Sequence, residues 1–428
     1  MPKLLMLAYD FPPRGGSGVF RVTKFTRYLP LHGWQPVVIA AAGPGPFPDP
    51  HLLAELPADL EVTRLPAVGE VAIPIATPAP QTPTRKPPWR TQLRPWLIPE
   101  PQILAAPRIL RAATTRLRQG DIAAIMSSGP PFTLHLVAML LRRLLGIPWL
   151  MDMRDLWSEG PGQRDLRRYK LNRVLEQRCM AHADRVVVVS ESIRQLTIRR
   201  IGADPVRIVT IPNGFDAADL PADLPEPASP LGRPFCMRYV GSVTDLRATA
   251  VQGLFAALRH LQAAGVGAET LRIEFIGAFG QQAHTWAAPL IASGMVVLRS
   301  FLPHTAALAQ MASADMLILA LTDDWEGRLM HTSKLFEYLA VGRPILVLGP
   351  EGEATREVVP TGIGLALAAG DVAGIAVTLR RLAARHRTGE LHFARPTPAQ
   401  LQRFERRNLT RELATQLNQI CEEQHART

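Results

Sequence analysis

The segment from Thr332 to Leu348 constrains the fold of this chain most tightly. It reads as a capped helix, a tight stop at Gly342, and a buried parallel strand from Pro344 to Leu348. Ser333 or Thr332 can cap the helix, and Gly342 suits the position after its end. Lys334 and Glu337 stand three residues apart, so both project from one face, in the first turns, beside the positive end of the helix dipole. There a cation and backbone N–H groups can take a phosphate, and a carboxylate can accept ribose hydroxyls. An ordinary surface ion pair has the same spacing.

The same alternation opens the chain. Leu4–Tyr9 reads as a strand, and Asp10 to Gly18 as a loop containing Gly15, Gly16 and Gly18. A helix follows, with Val19, Val22, Phe25 and Leu29 near helical spacing. It stops at Gly33, and Pro36–Ala41 is the next strand. The loop then lies at the carboxyl end of a parallel strand, where open α/β sheets place ligands. Residues 43–99 are proline-rich and without period, too long for an inert loop. Within them Arg85–Trp96 holds four cations, two tryptophans and no acid. That composition suits contact with an anionic membrane surface, and equally an exposed irregular loop.

Helix and strand alternate again from about residue 100. Strands are expected at Ile122–Met126, Pro148–Met153, Arg185–Val189 and Val206–Ile211. The turn Ser127-Ser128-Gly129-Pro130-Pro131 follows the first, and Arg154-Asp155-Leu156-Trp157 the second. A basic helix covers about 165–182, and Ser190 caps another. Pro221–Pro234 reads as a linker. A second α/β series follows, with strands at Phe235–Val240, Leu271–Ile276, Val296–Leu298, Met316–Leu321 and Ile345–Leu348. A last helix is expected over about 398–422.

With 428 residues the chain exceeds one ordinary core, so two domains are expected. They are a Rossmann-like domain over 1–220 with its insertion at 43–99, and a second over 235–395. The linker 221–234 joins them, and 396–428 returns to the first. Hydrophobic residues make up 47% and charged residues 20%, a globular composition. The net charge of +11 is carried almost wholly by arginine, since only five residues are lysine. It favours anionic partners, while no zinc-finger or RNA-recognition spacing points to nucleic acid. Cys179, Cys236 and Cys421 are odd in number and far apart, which suits reduced thiols in a cytoplasmic protein. No apolar run is long enough to span a membrane.

The ordered set of segments resembles the GT-B glycosyltransferases, and more narrowly the retaining family 4 group of bacterial polysaccharide enzymes. The likeness spans almost the whole chain. It rests on Tyr9–Gly18, Ser127–Pro131, Asp152–Trp157, Ile211–Asp216, Tyr239–Ser242 and Ser333–Leu339. It implies two Rossmann-like domains with parallel sheets facing across a cleft. It also implies sugar transfer from a nucleotide sugar to a glycan or lipid-linked acceptor, in surface polysaccharide or glycoconjugate assembly. The donor would be bound by Gly15, Gly16, Gly241, Ser242, Arg247, Ser333, Lys334, Leu335 and Glu337. The acceptor side would be Asp152, Arg154 and Asp155, and the chemistry would fall to Lys334, Arg247 and Asp155. The chain departs from the group in two places. The glutamate eight positions before Glu337 is replaced by Leu329, with Glu326 nearby. The loop Gly241–Arg247 carries only part of the usual cation pair. No Asp-x-Asp triplet is present, so no metal and no other cofactor is expected. A sugar-nucleotide epimerase of the same fold and a non-catalytic nucleotide-sugar-binding scaffold remain as alternatives.

Overall fold

The computed structural model describes residues 1–45, 48–68, 96–160, 165–225, 232–243, 248–329 and 331–426. By their contacts these form two compact units, Met1–Asn213 with Arg406–Thr428, and Gly214–Glu405. The chain passes from one unit to the other at Asn213–Gly214 and at Glu405–Arg406. Residues 214–220 and 396–405 therefore fall in the second unit.

The first unit holds a sheet of seven strands. They are β1 (Lys3–Leu7), β2 (Gln35–Ala41), β3 (Glu61–Leu65), β4 (Ile122–Gly129), β5 (Trp149–Met153), β6 (Arg185–Val188) and β7 (Ile208–Thr210). All pair in parallel, in the order β3-β2-β1-β4-β5-β6-β7. Helices cover both faces, so the central strands are apolar along their length rather than alternating. Leu4, Leu5, Met6 and Leu7 are at most 1% exposed. On one face Leu4, Met6, Val38, Met126 and Leu150 pack with Val22 and Phe25 of the Ser17–Tyr28 helix. Leu409, Leu413 and Leu417 of the Arg406–His425 helix complete that core.

The second sheet has six strands. They are β8 (Phe235–Val240), β9 (Leu271–Ile276), β10 (Val296–Arg299), β11 (Met316–Ala320), β12 (Ile345–Leu348) and β13 (Gly364–Leu367). They too are all parallel, ordered β10-β9-β8-β11-β12-β13. One face packs Met316, Ile318, Leu346 and Leu348 against the Thr249–Ala263 and Val372–Arg387 helices. The other packs Leu317, Leu319, Ile345 and Val347 against the His304–Ala312 and Ser333–Ala340 helices. The period-two alternation of these strands thus divides between two cores.

The sequence reading needs several structural corrections, the first being that β4 runs on through Ser127–Gly129, where a turn was expected. The 43–99 insertion contains an edge strand, β3, which is half-exposed and mixed in character, so no apolar run marks it. The other edge strand left out, β13, is only four residues long. The last helix is not continuous. Pro398–Gln402 is a short helix, and the long one begins only at Arg406. The break follows from two masters. Leu401 and Phe404 pack in the second unit, Phe404 with its ring 4.8 Å from Phe336, while Leu409, Leu413 and Leu417 pack in the first. Residues 69–95, which include most of the expected membrane-contact segment Arg85–Trp96, lie outside the described residues.

In each sheet the strand order reverses once, between β1 and β4 and between β8 and β11. Such switch points open crevices at the carboxyl ends of the strands. The motifs singled out in the sequence converge on these two places.

Candidate active site

At the second switch point β8 and β11 pair over only two rungs, Met237 with Met316 and Arg238 with Leu317. Beyond them β8 continues along β9 alone, to Val240 opposite Ile276. A backbone N–H freed in this way must find another partner if buried. The Val240 N–H donates to the hydroxyl of Tyr338, at 3.1 Å, and Tyr338 is wholly buried. The Ser333–Ala340 helix is thereby locked against the opening of the sheet, with Leu335 and Phe336 in the core beneath. Gly342, at φ 68°, ends the helix as its sequence suggests.

This places Lys334 over the loop after β8. Its ammonium donates to the Tyr239 hydroxyl at 2.9 Å and lies 4.4 Å from the centre of that ring. The stem crosses Gly241. A Cβ there would fall 2.2 Å from Lys334 Cε, and φ is +132°, a region that side-chain-bearing residues rarely adopt. Ser242 follows, its carbonyl accepting from Tyr239 at 3.3 Å. Gly241, Ser242 and Lys334, grouped as donor-binding, therefore meet around Tyr239, with Ser333 next to Lys334 in the chain. Thr332 occupies the cap position, but its side chain accepts no hydrogen bond from the helix. Its buried hydroxyl has no partner among the described residues. The expected Ser/Thr cap is absent, so the first-turn amides of Ser333 and Lys334 are left without it.

Glu337, one turn on, makes no pair with Lys334. Its Oε1 lies 2.9 Å from Nε2 of His304, the first residue of the helix on the neighbouring side. The Nδ1 of the same ring lies 3.8 Å from Asp219 Oδ2. Neither His304 nor Asp219 was singled out in the sequence. They lie 33 and 118 residues from Glu337, and no local pattern connects them. Leu335 needs correction as a ligand. Its side chain is 0% exposed in the core, and its N–H bonds the Thr332 carbonyl at 3.1 Å. Asp324 accepts from Thr322 Oγ1 and the Gly327 N–H, both at 2.9 Å, and so ends a loop and starts a five-residue helix. Glu326 sits half-buried in that helix, where burial and the Asp324 charge raise its pKa. Arg247 lies outside the described residues.

At the first switch point the loop after β1 ends at Gly16, which is exposed, with φ 106° and the Ser17–Tyr28 helix starting behind it. From that helix Arg21, 0% exposed, donates through Nη2 to Asp152 Oδ1 at 2.9 Å and through Nε at 3.1 Å. It also donates to the carbonyls of Ile211 and Pro212, at 3.0 and 2.8 Å. Ser128 Oγ donates to Asp152 Oδ2 at 2.7 Å. Burial opposes the Asp152 charge. Arg21 and Ser128 outweigh it and hold the carboxyl below the usual range. Asp152, expected to meet the acceptor, is instead buried and saturated, and ties the ends of β4, β5 and β7 to the glycine-loop helix.

Arg154 lies across this junction. It donates to the carbonyls of Gly129 and Pro130, and a Cβ on Gly18 would fall 2.0 Å from its Nη1. Gly18 in the first turn of the Ser17–Tyr28 helix, the end of β4 with Pro130, and Arg154 are therefore one cluster, with Asp155 exposed beside it; Ser127–Gly129, expected as a turn, belong to the strand. His135 is packed and wholly buried. Its Nδ1 lies 2.7 Å from Ser127 Oγ, which accepts from Trp149 Nε1 at 2.8 Å, and burial lowers its pKa to about 3. The Thr133–Leu145 helix is capped from a distance by Glu100. That carboxylate accepts from the N–H groups of Phe132 and Thr133 at 3.1 and 2.8 Å.

Residues 15–214, just under half of the chain, match the family model described as a glycosyl transferase 4-like domain. No curated protein sequence matches the chain. A Rickettsia africae glycosyltransferase superposes with a TM-score of 0.62 at 13% identity, over 98% of each chain. The lipopolysaccharide outer core galactosyltransferase WaaB, in its apo form, gives 0.63 at 13%, over 97% of this chain and 99% of the other. A Listeria monocytogenes structure titled as a putative UDP-N-acetylglucosamine 2-epimerase gives 0.57 at 12%, over 98% and 97%. At such identities these likenesses speak for the fold. The chain thus has the two-domain GT-B fold, and its residues 15–214 are similar to a glycosyl transferase 4-like domain.

Proposed function

We propose that this chain transfers a sugar, with retention, from a nucleoside diphosphate sugar to a hydroxyl of a glycan or lipid-linked acceptor, in surface polysaccharide or glycoconjugate assembly. The observation that carries the reading is Lys334, seated over Gly241 at the start of its helix. Glu337 stands one turn further on. A diphosphate placed on Gly241 and Ser242 would meet the ammonium and the first-turn amides together. As the glycosidic bond breaks, negative charge gathers on the leaving diphosphate, and preorganised donors there lower the barrier most. Arg247 is assigned as a second cation on the same loop. Glu337 is assigned to the ribose hydroxyls, with its Oε1 held by His304.

In the first unit Gly15 and Gly16 leave backbone room for the donor, and Arg154 with Asp155 line the acceptor side. Asp152 positions that side through Arg21 rather than touching substrate. We assign no metal to the reaction, because Lys334, Arg247 and a helix end supply the positive charge. A lipid-linked acceptor would bring the protein, peripherally, to the cytoplasmic face of a membrane, with Arg85–Trp96 as one contact.

The test is a thermal-shift screen across nucleoside diphosphates and nucleotide sugars. A ligand at 100 times its Kd adds about 2.7 kcal/mol to the unit that binds it. No shift with any of them would remove the reading. The structural likeness to an epimerase supports a second reading, and products separate the two. Epimerisation of a nucleotide sugar with no acceptor present would favour the epimerase.

A further inference from the structure

The Leu166–His182 helix buries Asn172, Glu176, Cys179 and Met180 against the first unit. Its opposite side is unusual for a solvated helix. The exposed stripe is built from Leu166, Arg167, Lys170, Leu171, Val174 and Arg178, with Gln177 and Ala181 and no carboxylate. Leu166 is 64% exposed, and Leu171 and Val174 are each 42% exposed. Beside the first turn stands Trp96, 66% exposed, with the Arg167 guanidinium 5.0 Å from its ring centre. The acid at the tip, Asp165, is exposed and caps the helix, accepting from the Arg167 N–H at 2.9 Å. Arg168 and Arg173, on the flanks, are spent on the protein's own Pro99 carbonyl and Tyr169 hydroxyl.

We propose that this stripe, with Trp96, is a docking surface for an anionic lipid bilayer. Cations and apolar side chains interleave along it, as on helices that lie in a membrane interface. Long cationic stems keep their charge at the headgroups while leucine and valine enter the acyl boundary. Tryptophan, apolar with one polar edge, prefers that depth. Charge selects among occupants. A second copy would bring the same cations face to face in a two-fold contact. A nucleic-acid backbone would gain nothing from Leu166, Leu171 and Val174. The inference deepens the lipid-linked acceptor reading and rests on it only for its use, because the contact itself needs no substrate.

The test is flotation of the full chain with phosphatidylcholine vesicles, with and without phosphatidylglycerol, at low and high salt. Binding is expected only with phosphatidylglycerol, and to weaken with salt. The variant Arg167→Ser/Lys170→Ser/Arg178→Ser should lose roughly fivefold per cation, on the order of 100-fold in all. Leu166→Ser/Leu171→Ser/Val174→Ser should lose about tenfold or more. Brominated acyl chains should quench a share of the tryptophan emission that disappears in Trp96→Phe. Nucleotide affinity should be unchanged in every variant, which keeps failure here distinct from failure of the donor-site reading. A parent chain that stays unbound, equal binding to neutral vesicles, or triple variants that float like the parent would overturn the proposal. So would a change of oligomeric state in the variants with vesicle binding unaltered, which would assign the stripe to a protein contact.

Discussion

At the scale of single residues, Lys334 does not have the environment of a surface lysine. Its ammonium is held on a tyrosine hydroxyl and ring above a glycine whose backbone admits no side chain beneath it. If its charge acts on the leaving group, removing it should lower kcat more than it raises KM. Lys334→Ala is expected to cut kcat by about 10²–10³, with the protein folded. Lys334→Arg should recover only part, because a planar fork cannot occupy the same seat as a point charge. Near-normal kcat in the alanine variant would remove Lys334 from the mechanism. Glu337 and His304 form a testable pair. Loss of Glu337 should weaken nucleotide binding by about 1.5–3 kcal/mol, and His304→Ala by about 1 kcal/mol. If His304 acts only by holding Glu337, the double variant should bind nucleotide no worse than Glu337→Ala alone. Strict additivity in calorimetry would mean that the two act independently.

At the scale of elements, several buried ionisable groups fix loops rather than react. Arg21 and Asp152 join one helix to three strand ends, and losing one partner of such a pair typically costs about 3–5 kcal/mol. Glu176, on the inner side of the basic helix, holds the loop after β5 by accepting from the Ser158 N–H and hydroxyl. Burial raises its pKa to about 7, against the pull of those bonds. A carboxyl whose folded pKa lies above its unfolded value takes up a proton on folding. Its contribution is fully present below the unfolded pKa, near 4.5, and is lost as pH rises through about 7. Stability of the first unit should therefore fall across that window. Glu176→Gln should flatten the fall, gaining on the order of 3 kcal/mol at pH 8. Melting curves from pH 4.5 to 8 check this, and an unchanged slope in the variant would mean that other groups carry it.

At the scale of the whole molecule, chemistry without a bound ion should survive chelation. Turnover is expected to persist in EDTA, and loss that magnesium or manganese restores would require a metal and displace Lys334 as the main source of charge. The alternation of apolar strands with helices is a local property, written in runs of side chains that must be buried on both faces of a sheet. The sequence alone was therefore enough to place β8 and β9 to the residue, β12 to within one residue, the Gly342 stop and the Ser190 cap. It also brought Lys334 and Gly241 into one expected site. It did not reach the edge strands β3 and β13, which are paired on one side only and need no apolar run. Nor did it reveal the break before Arg406, because a helical period continues through residues that two different cores claim. Long-range pairing was decided only in three dimensions. Asp152 went to Arg21, Glu337 to His304, Glu100 to a helix end and Tyr338 to a strand amide, over separations of 131, 33, 33 and 98 residues. Sequence spacing reports which residues share a face of one element. Which buried polar groups satisfy one another depends on how the elements pack, and it is that packing which separates the residues free to meet a substrate from those already committed to the fold.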